Sequence, residues 1–307
     1  MLIDKRILIT GVVNRESIAY ATAERAQRAG AHVLLSAFPR NRDLTLQASA
    51  GLPQRAEVID ADLTREEDLA RVQEHVRSSV GGLDGALHAV AFAPRDALAG
   101  DFLQASAEGV GLAFQTSAFS YASLGRLLRD LAPAGGAALV GLDFDAAGAW
   151  PVYNWMGVCK GALEAVNRYL ARDLGALNIR SNLIAAGPLH TRAAGGIPDF
   201  HRLLEAWEGR SPLRWDPTDP APVADAACFL LSDLARAISG EILHVDGGYH
   251  AMAGVLRAAC VPGRDGEREE GPAQHAVTGA PTLSGPPRTT LAYTPNGSGS
   301  VESRPER

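Results

Sequence analysis

Short apolar runs recur along this chain, each closed by small or polar residues and followed by a longer segment whose apolar positions fall three and four apart. Runs at Lys5–Thr10, His32–Ala37, Ala56–Ile59, Leu87–Phe92, Ala137–Leu142, Ile179–Ala185 and Glu241–Val245 predict seven strands. Between them, helical spacing predicts a helix from Ser17 to Gly30 and another over Asp68–Val80. Helical segments also fill Phe102–Leu131, with a break near Gly109 and Gly111, then Val152–Leu174, and further helices run up to Leu231. Regular alternation of this kind predicts the α/β class, an open, doubly wound parallel sheet covered by helices on both faces. From Val261 to Arg307 the pattern stops, and Pro, Gly, Ser, Thr, Glu and Arg dominate. Residues 1–253 therefore read as one domain and 254–307 as a disordered tail, too poor in apolar surface to offset its ordering entropy.

The first strand, glycine turn, helix and second strand form a Rossmann-like βαβ unit of the kind that binds nucleotides. Its glycine fingerprint is reduced to Gly11. Ser17 stands at the predicted helix start, where it can cap the helix or donate to a phosphate held by the helix N-terminus. A second candidate follows the fifth strand. Pro151 predicts a helix start, so Tyr153 and Lys160, two turns apart, fall on one helix face. A phenol beside an ammonium can donate to a developing oxyanion, while the ammonium holds a sugar diol. The same two residues could instead share an ordinary exposed face. What favours chemistry is position: every such motif lies just after a strand, where ligands bind in sheets of this class.

Composition narrows the alternatives. A net charge of -6 over 307 residues lends no electrostatic support to a nucleic-acid partner. No apolar run approaches the ~20 residues of a membrane span. The opening MLIDKRILITG lacks a basic, apolar and small-residue leader, which predicts a cytoplasmic protein. Cys159, Cys228 and Cys260 are too scattered for a disulfide framework or a zinc site, and no metal is expected.

The segments TGVVNRESIA, HAVAF, SAFSYASL, LDF, YNWMGVCKGALEAVNRYLA, IRSNLIAAGPLHT and HVDGGY, in that order, resemble the enoyl-acyl carrier protein reductases of bacterial fatty-acid synthesis. These belong to the short-chain dehydrogenase/reductase superfamily, and the Asp143-Phe144 and Tyr153-Asn154-Trp155-Met156 pairings resemble its actinobacterial branch. Ordinary superfamily members place three residues between tyrosine and lysine and a serine near position 140; here six intervene, and the residue is Val140. The resemblance implies NADH-dependent reduction of the trans-2 double bond of an enoyl thioester carried on acyl carrier protein, by a homotetramer. Tyr153 would donate to the thioester oxygen, Lys160 would hold the nicotinamide ribose, and Phe144 would pack against nicotinamide and substrate. Cofactor contacts carry over to Gly11, Val12, Ser17, Ile18, Phe38, Asp62, Leu63, Ala91, Gly187, Pro188, Leu189 and Thr191. Phe92 and Met156 would line the substrate. Phe200, Leu203 and Trp207 would form its helical wall, short enough to favour medium over very long acyl chains.

Each role has a plainer rival: Phe144 as a core aromatic, Ser17, Asp62 and Thr191 as caps, the Phe200–Trp207 stripe as packing. Two departures stand out. Ala89 replaces the family's usual serine, and the second strand ends in Ala37-Phe38-Pro39-Arg40 without the acid that commonly selects NADH. Arg40 and Arg42 leave NADPH open. Another short-chain reductase, acting on an enoyl or keto thioester in secondary metabolism, and an idle nucleotide-sensing paralogue both fit the same motifs.

Overall fold

The structure, a computed structural model, describes residues 1–253. The disordered tail expected over 254–307, with Cys260, lies outside them. Seven strands form one sheet, β1 (Arg6–Thr10), β2 (His32–Ala37), β3 (Glu57–Asp60), β4 (Gly85–His88), β5 (Ala137–Asp143), β6 (Ile179–Ala186) and β7 (Ile242–Val245). They run parallel throughout in the order β3-β2-β1-β4-β5-β6-β7. The order reverses between β1 and β4, the switch point at which a crevice opens in such sheets.

The two-residue period of the strands sorts their side chains into two cores. Ile7, Ile9, Ala138, Val140 and Ile184 face one side, where helices α1 (Ile18–Arg28), α2 (Arg42–Ser49) and a later helix over Ala221–Leu231 pack. Leu8, Ala86, Leu139 and Leu183 face the other, against α3 (Glu66–His75) and helices over Ser120–Leu131 and Asn154–Leu174. In chain order α3 is followed by α4 (Arg95–Leu98), α5 (Ala107–Phe114), α6 (Ser120–Leu131), α7 (Asn154–Leu174), α8 (His201–Arg210) and α9 (Ala221–Leu231).

Three predicted boundaries move. The fourth strand lies at Gly85–His88 instead of Leu87–Phe92, because its apolar residues leave the sheet early. The Ala89 amide donates to Thr10 Oγ1 at 3.1 Å, and Phe92 exchanges hydrogen bonds with Ser117 Oγ at 3.0 Å, so neither pairs with a strand. The stretch from Phe102 to Leu131 is interrupted at Ala105 and Ser106, and not at Gly109 and Gly111, which sit inside α5; after α5 the helix continues through a widened turn at Gln115–Phe119. The helix predicted from Pro151 starts three residues later. The Tyr153 amide closes a turn on Trp150, and Asn154 takes φ 38°, a conformation asparagine tolerates better than most residues. α2, short and with little apolar period, was not predicted at all.

Candidate active site

The carboxyl ends of β1, β4, β5 and β6 converge on one edge, and nearly all the predicted residues gather there. Gly11 leaves β1 at φ 80°, and a Cβ on it would run into the Ala89 carbonyl. Only a bare backbone fits between β1 and the loop after β4, which suits the close approach a pyrophosphate needs. Val12 is buried and its carbonyl accepts from Thr45 Oγ1 at 2.6 Å. Ser17 caps α1, accepting from the Tyr20 amide at 3.1 Å and donating to the Asn14 carbonyl at 2.9 Å, with Ile18 half-buried behind it. Its hydroxyl serves the local turn, while the remaining amides of the first turn of α1 keep their positive end toward the crevice.

Asp62 accepts from both the amide and the hydroxyl of Thr64 through Oδ1, at 2.9 and 2.7 Å. Leu63 is buried in the core, so only its backbone can face a ligand. Phe38 and Phe92 are exposed, and the Arg40 guanidinium lies 4.9 Å from one ring centre and 5.8 Å from the other. Arg42 is drawn away to Asp60 at 2.7 Å. Ala91 is exposed beside Phe92. After β6, Gly187 has no room for a side chain: its Cβ would stand 2.7 Å from the Trp215 ring and 2.9 Å from Trp207 Nε1. Pro188 accepts from Trp215 Nε1 at 2.8 Å, Leu189 is buried, and Thr191 Oγ1 accepts from the Ala194 amide at 3.2 Å.

At the same edge sits an aromatic cluster. Phe144, directly after β5, lies with its ring centre 5.0 Å from Tyr153, 5.1 Å from Trp150 and 5.6 Å from Trp207. Trp207 stacks on Tyr249 at 3.8 Å and donates from Nε1 to the Asp246 carbonyl. Met156 and Leu203 are buried in the same cluster, with Phe200 packed half-buried at its margin. Leu203 and Trp207 thus serve as packing for α8 and stand in one layer with Tyr153. Trp150 and Tyr249 were not foreseen; Trp150 directly precedes the flagged Pro151, and Tyr249 ends the HVDGGY segment.

The polar groups are unusually covered. Tyr153 is buried, and burial, with the Asp143 carboxylate adding to it, pushes its phenol above the usual range, so it stands as a neutral donor. Lys160 is buried as well. Its Nζ donates to the Leu142 carbonyl at 2.8 Å and lies 3.9 Å from Asp143 Oδ1. Burial pulls the ammonium down and Asp143 opposes that pull. Asp143 itself is pushed up to about 7 by burial, against the attraction of Lys160. On β4, His88 holds Ser120 Oγ at 2.7 Å, and burial, reinforced by the charge of Lys160, lowers it to about 3. Cys159 is buried, as expected of a small helix residue. Among the described residues no cluster of His, Cys, Asp or Glu could hold a metal, and no helix is long and apolar enough to cross a membrane.

A parallel sheet of this order, with a tyrosine and a lysine presented after β5 at its carboxyl edge, defines the short-chain dehydrogenase/reductase class. The family model described as "Enoyl-(Acyl carrier protein) reductase" matches residues 11–250, and the chain belongs to that family. It is 38% identical over 262 residues to the enoyl-[acyl-carrier-protein] reductase [NADH] of Mycolicibacterium smegmatis, covering 81% of this chain and 97% of the relative. To the reductase of the same name from Mycobacterium avium it is 40% identical over 261 residues, with 81% and 97% covered. The Staphylococcus aureus relative, named as the NADPH form, is 36% identical over 251 residues, with 81% and 98% covered.

Proposed function

We propose that the protein is an NADH-dependent enoyl-acyl carrier protein reductase that saturates the trans-2 double bond of enoyl thioesters in fatty-acid synthesis. The observation that carries this reading is the buried, neutral Tyr153 phenol set against Phe144, with Lys160 covered behind β5, in a chain of this family.

The bare backbone at Gly11, the first turn of α1 and the Gly187–Thr191 segment suit a dinucleotide, with Lys160 assigned to its ribose diol and Asp62 and the Leu63 backbone to its adenine end. NADH, when bound, supplies the hydride. The residues do the rest. As charge develops on the thioester oxygen, Tyr153 donates to it, and a phenol kept neutral has the proton to offer. Phe144, Met156 and the aromatic layer exclude water from the acyl chain, and Phe200, Leu203 and Trp207 wall it. The exposed Phe38 ring suits adenine. Arg42 is neutralised by Asp60, which leaves Arg40 as the group for a 2′-phosphate and keeps NADPH as the second reading.

Assembly and location belong to the same proposal. α5, the widened turn after it and α7 leave Leu112, Phe114, Phe119, Val158 and Tyr169 exposed, an apolar face suited to a homotetramer, and a cytoplasmic location is part of the same reading.

The test is cofactor oxidation with trans-2-enoyl thioesters, run beside NADPH and keto thioesters. Turnover of enoyl thioesters with NADH is expected. Turnover of keto thioesters alone would overturn the reading.

A further inference from the structure

β5 ends at Asp143, and the period of the strand turns its side chain to the face of Leu139 and Gly141, toward α7. The carboxylate is fully covered and neither oxygen accepts a hydrogen bond among the described residues. A covered carboxylate without donors is costly, and the proposed chemistry uses the lysine beside it but not the aspartate. We propose that Asp143 is a positioning residue for Lys160: its carboxylate and the Leu142 carbonyl together hold the ammonium at the end of β5, leaving the remaining N–H groups for a ribose diol. The proposal rests on the reading of Lys160 as the ribose clamp.

Two things make the carboxylate necessary. Lys160 is itself out of water, where an ammonium without a counter-charge tends to lose its proton and with it a donor. The Leu142 carbonyl, at 2.8 Å, fixes one N–H but carries no full charge. Asp143 at 3.9 Å supplies the charge and, without a hydrogen bond, leaves the other N–H groups unspent.

The groups around the pair come from every neighbouring element. α7 brings Cys159 and Glu164, the segment after β5 brings Asp145, β4 brings His88, α6 brings Tyr121, and Tyr153 stands at the start of α7. Glu164 and Asp145 push Asp143 in the same direction as burial, while Lys160 and, after it, the nearby Phe144 backbone amide draw it down. The carboxylate therefore takes up its proton near neutral pH, and the ammonium then loses its counter-charge.

Asp143→Asn keeps the shape and removes the charge. NADH binding is followed by cofactor fluorescence between about pH 8 and about pH 6, beside thermal unfolding of the same variant. The parent is expected to lose affinity severalfold as the pH falls. The variant is expected to bind roughly tenfold more weakly at the upper pH, to show no such slope, and to melt no lower than the parent. Parent-like affinity in Asp143→Asn, or the parent's slope retained in it, overturns the proposal. Lys160→Met separates the two readings. If it loses NADH while Asp143→Asn does not, the clamp stands and the positioning role falls; if Lys160→Met binds like the parent, both fall. Should Asp143→Asn fail to fold, the parent decides: an NADH affinity that is flat over this range overturns the proposal.

Discussion

Tyr153 and Asp143 show how the same burial serves two groups differently. In the phenol it preserves the proton, because the ionised form is the one desolvation penalises. Tyr153→Phe should therefore lower turnover of an enoyl thioester by about 100-fold while NADH affinity stays unchanged, since the hydroxyl matters chiefly once charge develops. An equal loss in NADH binding would move Tyr153 into the cofactor site. In the carboxyl, burial raises the folded-state value to about 7 from an ordinary 3.8. Between those two values the folded protein holds a proton that the unfolded chain has released, so this group's contribution to stability grows as pH falls through the window and its cost is complete above it. Asp143→Asn should thus gain most in melting temperature, relative to the parent, at about pH 8 and least at about pH 4. A gap independent of pH would show that the carboxyl titrates normally in the folded protein.

α7 is placed by its first residues as much as by its apolar face, and α8 by its buried stripe. Tyr153 precedes α7 because Asn154 takes φ 38° and donates from Nδ2 to the Gly100 carbonyl at 3.0 Å. Its relation to Lys160 is set by that turn and not by two turns of helix. α8 is held by Leu203 and Trp207, both buried, with Trp207 stacked on Tyr249. Trp207→Ala should cost about 3–5 kcal/mol, read from chemical denaturation. If α8 also walls the acyl chain, the KM for a medium-chain enoyl thioester should rise more than that for a short one. A uniform rise would assign the stripe to packing alone.

At the scale of the described residues, the two sheet faces are covered by helices, and a group of exposed apolar side chains falls on α5, its widened turn and α7. Leu112, Phe114, Phe119, Val158 and Tyr169 are each more than two-fifths exposed, and this is the face proposed above to be covered by other copies. Replacing Phe119 and Tyr169 together by glutamate should give a smaller species in sedimentation and a lower melting temperature. An unchanged sedimentation coefficient would place the interface elsewhere.

The alternation of apolar runs with helical spacing was enough to specify seven parallel strands and the edge where the chemistry gathers, because strand and helix periods are local properties of the chain. Gly11, Phe144, Tyr153, Lys160 and Gly187 were visible as residues following strands, with their roles implied by resemblance. The end of β4 and the start of α7 were not visible, since they depend on where Thr10, Ser117 and Asn154 find partners across the fold. Nor could the pairing of Asp143 with Lys160 be read from the letters LDF. Burial of a charge, with no hydrogen bond to it among the described residues, comes from elements far apart in the chain closing over the same point, and only packing decides that.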